Sequence, residues 1–259
     1  MSDARATQQM VGVTIAPLGN PQRAFAMLRS MGARGAQLSA TQPGMRPREL
    51  GASARRDLVA TLVRSELVAS GIDAWIPPAH FLDPAHAERA IDAAVAACEL
   101  AGELGRAPVT LELPEVPDDD APARARRAEA VAAIAAAADR HGVRIADAGG
   151  ATNVPWPPVG ASIDTAGSLA QGLDPAGELA RIGARCVSVR ISDLSRTGMR
   201  MPPGEPGGRL DLLVLRVAIE LMGAPGLPII DARQWIEPAD AVRRALGAWG
   251  AAVSGAPIH

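Results

Sequence analysis

Three charged residues near the ends of short apolar runs carry the first chemical signal. Asp164 closes Val-Gly-Ala-Ser-Ile-Asp, Arg190 falls in Val-Ser-Val-Arg-Ile, and Asp231 closes Pro-Ile-Ile-Asp; Glu112, in Val-Thr-Leu-Glu-Leu, is a fourth. Carboxylates in such places can move protons or bind a cation, and a guanidinium can stabilise an oxyanion. All 26 basic residues are arginine, and tyrosine is absent. Without lysine there is no Schiff base and no P-loop, and without tyrosine no phenol acts as acid or nucleophile. Four histidines remain. His80, after Trp75-Ile-Pro-Pro-Ala, could be a base or a hydroxyl ligand, or simply bond to loop backbone. His86 and His141 fall in helical runs, on a surface or at a C-terminal cap. His259 carries no signal. Cys98 and Cys186 alone cannot build a disulfide framework or a zinc cluster and are expected to be buried small hydrophobes.

The elements that would position these groups alternate along the whole chain. Strand-like runs cover 11–16, 36–39, 72–76, 109–113, 143–147, 159–164, 187–192 and 228–231. Between them run helical stretches at 21–31, 54–69, 84–104, 122–141, 175–182, 210–222 and 238–251. Proline follows an acid at Asp83-Pro84, Asp174-Pro175 and Glu237-Pro238, a start signal. Gly32, Gly71, Gly105, Gly142 and Gly183 follow helical runs as stop signals. Eight strands joined mostly by helices in 259 residues predict an α/β fold, a (β/α)8 TIM barrel. A doubly wound open sheet is the alternative, but no Gly-x-Gly-x-x-Gly follows the first strand. The link between strands five and six is short and rich in Pro and Gly, so no helix is expected within 149–158. One barrel domain over 11–252 is expected, with tails at 1–10 and 253–259.

Strand alternation then separates two faces. The outer faces are apolar, as in Val11/Val13/Ile15 and Val187/Val189/Ile191. The inner faces read Thr14, Gln37/Ser39, Asp73/Trp75, Thr110/Glu112, Arg144/Ala146, Ser162/Asp164, Ser188/Arg190 and Ile229/Asp231. A charged interior loses hydration unless it is paired, so this set predicts a wet functional cavity rather than a packed plug. Arg190 is expected at its electrostatic centre, within hydrogen-bonding reach of Asp164, Asp231 or both. Glu112 and Arg144 would form a second pair.

Several segments in order resemble the xylose isomerase-like TIM barrels, the sugar phosphate isomerase/epimerase superfamily. They are Met31-Gly-Ala-Arg-Gly-Ala-Gln-Leu38, Ala101-Gly-Glu-Leu-Gly105, Ala138-Asp-Arg-His-Gly-Val143, Val159-Gly-Ala-Ser-Ile-Asp-Thr165 and Val187-Ser-Val-Arg-Ile-Ser-Asp193. The resemblance implies a divalent cation held by carboxylates and a histidine at the strand ends, polarising a sugar carbonyl while glutamates move a proton. It carries over unevenly. The strand-six aspartate is Asp164, and the strand-eight glutamate is shortened to Asp231. Arg190 stands for the strand-seven histidine. The strand-five glutamate falls on Ala148, one residue from Asp147. Gln37 stands for the strand-two glutamate, and Gly167 for the histidine after strand six. A guanidinium cannot ligate a metal and repels one nearby. No cofactor and no tightly bound transition metal are therefore expected, with Mg²⁺ or Mn²⁺ on Asp164 and Asp231 left as the alternative.

Further candidates for substrate contact are Trp75, His80, Asp193 and Arg233, with Gln37. Arg196 and Arg200, in the loop after strand seven, could meet a phosphate or carboxylate, and Trp156 could stack on a sugar. Two functions follow. One is an isomerase or epimerase of a small sugar or hydroxy-carbonyl compound, with Glu112, Asp164 or Asp231 moving the proton and Arg190 beside the enediolate. The other is a catalytically inactive barrel that binds a sugar or a partner protein. An unrelated barrel chemistry, such as a lyase, is a third. The expected partner is a small sugar or sugar acid. Formal net charge is −2, which argues against nucleic acid or an anionic membrane surface. A signal peptide and a membrane span are not evident, so a cytoplasmic location is expected.

Overall fold

The computed structural model describes residues 10–149, 156–223 and 226–254. In chain order the elements are β1 (Gly12–Thr14), α1 (Pro21–Met31), β2 (Gly35–Ser39), α2 (Ala52–Arg64), β3 (Val68–Asp73), α3 (Ala87–Glu103) and β4 (Val109–Leu111). They continue with α4 (Ala121–His141), β5 (Ile145–Asp147), β6 (Val159–Asp164), α5 (Thr165–Ala170), α6 (Pro175–Ile182) and β7 (Cys186–Ile191). The last are β8 (Asp193–Leu194), β9 (Arg200–Met201), α7 (Leu212–Met222), β10 (Ile229–Ile230) and α8 (Pro238–Ser254). Eight parallel strands close in the order β1-β10-β7-β6-β5-β4-β3-β2, and β8 and β9 form a separate antiparallel ribbon. The chain is a closed (β/α) barrel, as its alternation predicts.

The hydrophobic core lies outside the sheet. Val13, Leu38, Ile72, Val109, Ile145, Ile163, Val189 and Ile230 on the outer strand faces pack with Phe25, Leu28, Ala94, Ala97, Ile134, Ala138, Leu179 and Leu215 of the helices. Cys98 and Cys186 are both buried and free. Small residues on α3 and α4 bring those long helices close to the strands and to each other. Caps behave as the residue types predict: Asn20 accepts from the Arg23 amide, and Asp174 accepts from Ala176 and Gly177. Gly32 and Gly142 end α1 and α4 in the left-handed conformation.

The third strand departs from its expected span of 72–76. Helix α2 ends at Arg64, and Glu66 turns the chain with φ 54°, so the strand begins at Val68 and finishes at Asp73. Gly71 does not stop a helix. It sits within β3, where a Cβ would lie 3.7 Å from Gln37 Cγ and 3.6 Å from Ile229 Cδ1, inside the barrel. This shift places Asp73 at the mouth. The expectation of no helix at 149–158 falls partly outside the described residues, since 150–155 are not among them; 149 and 156–158 are not helical. Of the expected tails at 1–10 and 253–259, residues 1–9 and 255–259 also lie outside them, while 253 and 254 continue α8. Among the described residues, no helix is long and apolar enough to cross a membrane.

Candidate functional site

At the C-terminal ends of the strands the barrel opens into a cavity of about 690 Å³, within the range of small-molecule sites. Asp73, Glu112, Asp164, Arg190, Arg200, Asp231 and Arg233 all face it, with Trp75, Ile76, Pro77 and Pro78 forming an apolar wall. Strand register brings the charges together: Asp164 is level with Arg190, and Arg190 is level with Ile229, two residues before Asp231.

Most of these charges form one alternating chain. Arg190 Nη1 donates to Asp73 Oδ1 at 3.3 Å, and Arg233 Nη1 donates to Asp73 Oδ2 at 3.0 Å. Arg233 then grips Asp231 edge-on, Nε to Oδ1 at 2.8 Å and Nη2 to Oδ2 at 2.6 Å. The Arg233 amide donates to the same Oδ1 at 3.1 Å. Asp164 is held separately, by both Nη atoms of Arg200 and by the Gly167 amide at the start of α5. Arg190 thus lies inward as expected, but its ion-pair partner is Asp73, and the expected pairs with Asp164 and Asp231 are replaced by arginines from the following loops. Glu112 and Arg144 do not pair either. Among the described residues Glu112 has no ion pair and is exposed at the cavity edge.

The electrostatics follow from burial and neighbours. Burial pushes the Asp73 carboxyl above its ordinary value; Arg233 and Arg190 pull it back only in part, and Asp231 adds to the rise. Burial acts on Asp231 too, but the hydrogen bonds and charge of Arg233, with the charge of Arg190, outweigh it and hold its pKa below the ordinary value. Burial would lower the Arg233 pKa, yet Asp231, Asp73 and Asp164 raise it, so its charge is secure.

Arg200 reaches the site because the loop after β7 is folded back on itself. Asp193 pairs with Met201 and Leu194 with Arg200 in the β8–β9 ribbon. The buried Asp193 Oδ1 accepts from the amides of Leu194, Arg209 and Leu210 at 2.7, 2.8 and 2.8 Å. Gly208 leaves room for this, since a Cβ there would meet Asp193 Oδ2 at 2.0 Å. Asp193 therefore lies off the cavity and organises the loop instead of facing a ligand. Two other expected contacts also stand elsewhere. His80 stacks on His86 with ring centroids 4.7 Å apart, and Gln37 is buried inside the barrel, its Oε1 accepting from Thr14 Oγ1 at 3.0 Å. Asp147 is buried and ties strand ends together, accepting at 3.0 Å from both Leu113 and Gly149 amides.

A sequence model described as xylose isomerase-like TIM barrel matches residues 25–146. That segment, just under half of the chain, is similar to this family. Solved structures agree over the whole fold. A D-tagatose 3-epimerase-like protein superposes with TM-score 0.72 at 13% identity, covering 95% of this chain and 98% of its own. An L-ribulose 3-epimerase gives TM-score 0.71 at 14% identity, covering 95% and 94%. A xylose isomerase-like TIM barrel protein from Mycobacterium smegmatis, in complex with magnesium, gives TM-score 0.69 at 17% identity, covering 96% and 99%. No curated protein matches the chain in sequence. The matched segment stops before β6, so Asp164, Arg190 and Asp231 lie outside the matched part of this chain.

Such barrels raise the question of a divalent cation. Here the donor set does not fit one. Asp164 and Asp231 are each gripped at both oxygens by a guanidinium, and Asp73 lies between two more contacts of the same kind. A cation would have to displace those arginines and then bear their repulsion. Among the described residues no three His, Cys, Asp or Glu side chains are grouped for a metal.

Proposed function

We propose that this xylose isomerase-like barrel is an isomerase or epimerase of a small sugar or hydroxy-carbonyl compound, working without the metal through a guanidinium. The observation that carries this is Arg190: it is nine-tenths buried, faces the cavity, and has an Nε with no partner. Its charge would stabilise a carbonyl oxygen that becomes an oxyanion during enolisation. Glu112 supplies the carboxylate for the proton. It takes a proton from the carbon beside the carbonyl, and the C–H electron pair forms the carbon–carbon double bond of an enediolate. Return of the proton to the former carbonyl carbon, with the hydroxyl proton passing from one enediolate oxygen to the other, isomerises the substrate, and delivery to the opposite face of the original carbon by water epimerises it. Asp164 and Asp231 hold arginines in place, and Trp75 offers an apolar face to the carbon chain. The sugar epimerases among the structural neighbours support the substrate class.

Incubating the protein with aldoses, ketoses and their acids in D₂O tests this by NMR. Deuterium should enter at the carbon beside the carbonyl, and Glu112→Gln should slow the exchange by about a hundredfold, the usual weight of a positioned base. Absence of exchange with every ligand that binds would favour the second reading, an inactive sugar-binding barrel. That reading draws on the full pairing of Asp164 and Asp231, which leaves neither free as a base.

A further inference from the structure

The charged chain at the mouth has a direction. Starting from Asp231 it alternates Asp231, Arg233, Asp73, Arg190, and it ends on a cation. The two arginines treat Asp73 alike, each donating from Nη1. Their other edges differ. Arg233 uses Nε and Nη2 to grip a carboxylate at two points, whereas Arg190 Nε meets no acceptor in the protein. Asp164, level with Arg190 on the next strand, would be the natural fourth anion, but Arg200 holds both of its oxygens.

The surrounding inner face is rich in donors of the same kind. Gln37 Nε2, Thr110 Oγ1, Ser162 Oγ and Ser188 Oγ are buried and without partners, as is Arg190 Nε. Two of these five can only donate, and the three hydroxyls can do so. Thr110 also lines the cavity. A neutral polyol offers donors and acceptors in equal measure. A carboxylate offers acceptors alone, in a plane that matches a guanidinium edge.

We infer that the ligand of this site is a sugar acid, a polyhydroxy carbon chain whose carboxylate is held edge-on by Nε and Nη2 of Arg190. The inference rests on the enolisation reading above for its reacting centre. In a 2-oxo sugar acid the carboxylate and the carbonyl oxygen are neighbours in one plane. The edge that binds the acid therefore also lies beside the oxygen on which charge develops. Trp75, with Pro77 and Pro78, offers the carbon chain an apolar wall of the same cavity.

Calorimetric titration of the wild-type protein with gluconate and 2-oxogluconate, against glucose and fructose, tests the acid preference without any substitution. The acids should bind at least about tenfold more tightly, the scale of a charge-assisted hydrogen bond. Arg190→Met and Arg190→Gln should both lose that preference; Asp73 keeps Arg233 in either variant, and glutamine can still reach it. Acids that bind preferentially yet exchange no deuterium would uphold the carboxylate seat and sink the enzymatic reading. Neutral sugars that exchange deuterium while the acids bind no better would do the reverse. An acid preference that survives in both Arg190 variants, or no binding of any of the four, would overturn the inference.

Discussion

Asp73 is the residue on which the site turns, because one carboxylate keeps two guanidiniums apart and aligned. Alternation marks it as inward-facing, but an expected strand of 72–76 puts it near a strand start, away from the mouth. Its neighbours make the cost of disruption uneven. Removing Arg233 leaves Asp231, 1% exposed, without its two-point partner. Arg233→Met should therefore cost about 3 kcal/mol in urea unfolding, the scale of a broken buried pair. The pH dependence follows from the direction of each shift. Asp231 is held below its ordinary 3.8, so the unfolded chain takes up its proton first as the pH falls. Its stabilisation is complete above that value and is lost as the pH drops through the depressed folded one. Asp73 works oppositely: its folded pKa is raised, so its proton uptake favours the folded state in acid. Asp231→Asn should consequently flatten the loss of stability below about pH 4 relative to wild type, measured by denaturant titration at a series of pH values. An equally steep loss in the variant would place the acid sensitivity elsewhere.

At the scale of elements, the β8–β9 ribbon decides whether the site is complete, since it alone delivers Arg200. Three amides from two distant parts of the loop converge on one buried oxygen of Asp193. Burial pushes the Asp193 carboxyl up, and those amides pull it part of the way back. Asp193→Ala should cost about 3 kcal/mol, given what buried bonds to a charged acceptor contribute, and should speed amide exchange at Leu194, Arg209 and Leu210. Unchanged exchange at those amides would mean that the ribbon is held by its own pairing. The helices show a second element-level device. Alanines at the contacts of α3 and α4 let these two long helices pack closely, and Cys98 fills the same role as a small apolar residue.

For the whole molecule, apolar packing and function occupy different spaces: the oil lies between sheet and helices, and the polar layer lies inside the sheet. Stability should thus be most sensitive outside the barrel. Ile134→Ala or Leu179→Ala, both almost fully buried between helix and strand, should cost about 2–5 kcal/mol each in denaturant unfolding. The thiols report on the same core. Burial raises the Cys98 pKa to about 12 and that of Cys186 to about 11, so neither should react with a disulfide reagent at neutral pH until the protein unfolds. Prompt labelling of either in the native protein would show that the core opens locally.

The sequence by itself determined the barrel. Local periodicity, proline starts and glycine stops act over a few residues, and eight strands separated mostly by helices favour a closed parallel barrel over an open sheet. It also determined that the inner face is polar and that Asp164, Arg190 and Asp231 reach one mouth. Which charges pair was decided only by the tertiary structure. Asp73 and Arg190 are 117 positions apart, and Arg233 and Asp73 are 160 apart. Arg200 arrives on a ribbon whose fold rests on the carboxylate of Asp193. Alternation fixes the face of a residue but not its height along a strand, and the early start of β3 at Val68 set that height for Asp73. Arginine side chains then span the gaps between strands in several ways, and the choice among them depends on the distances that barrel closure sets.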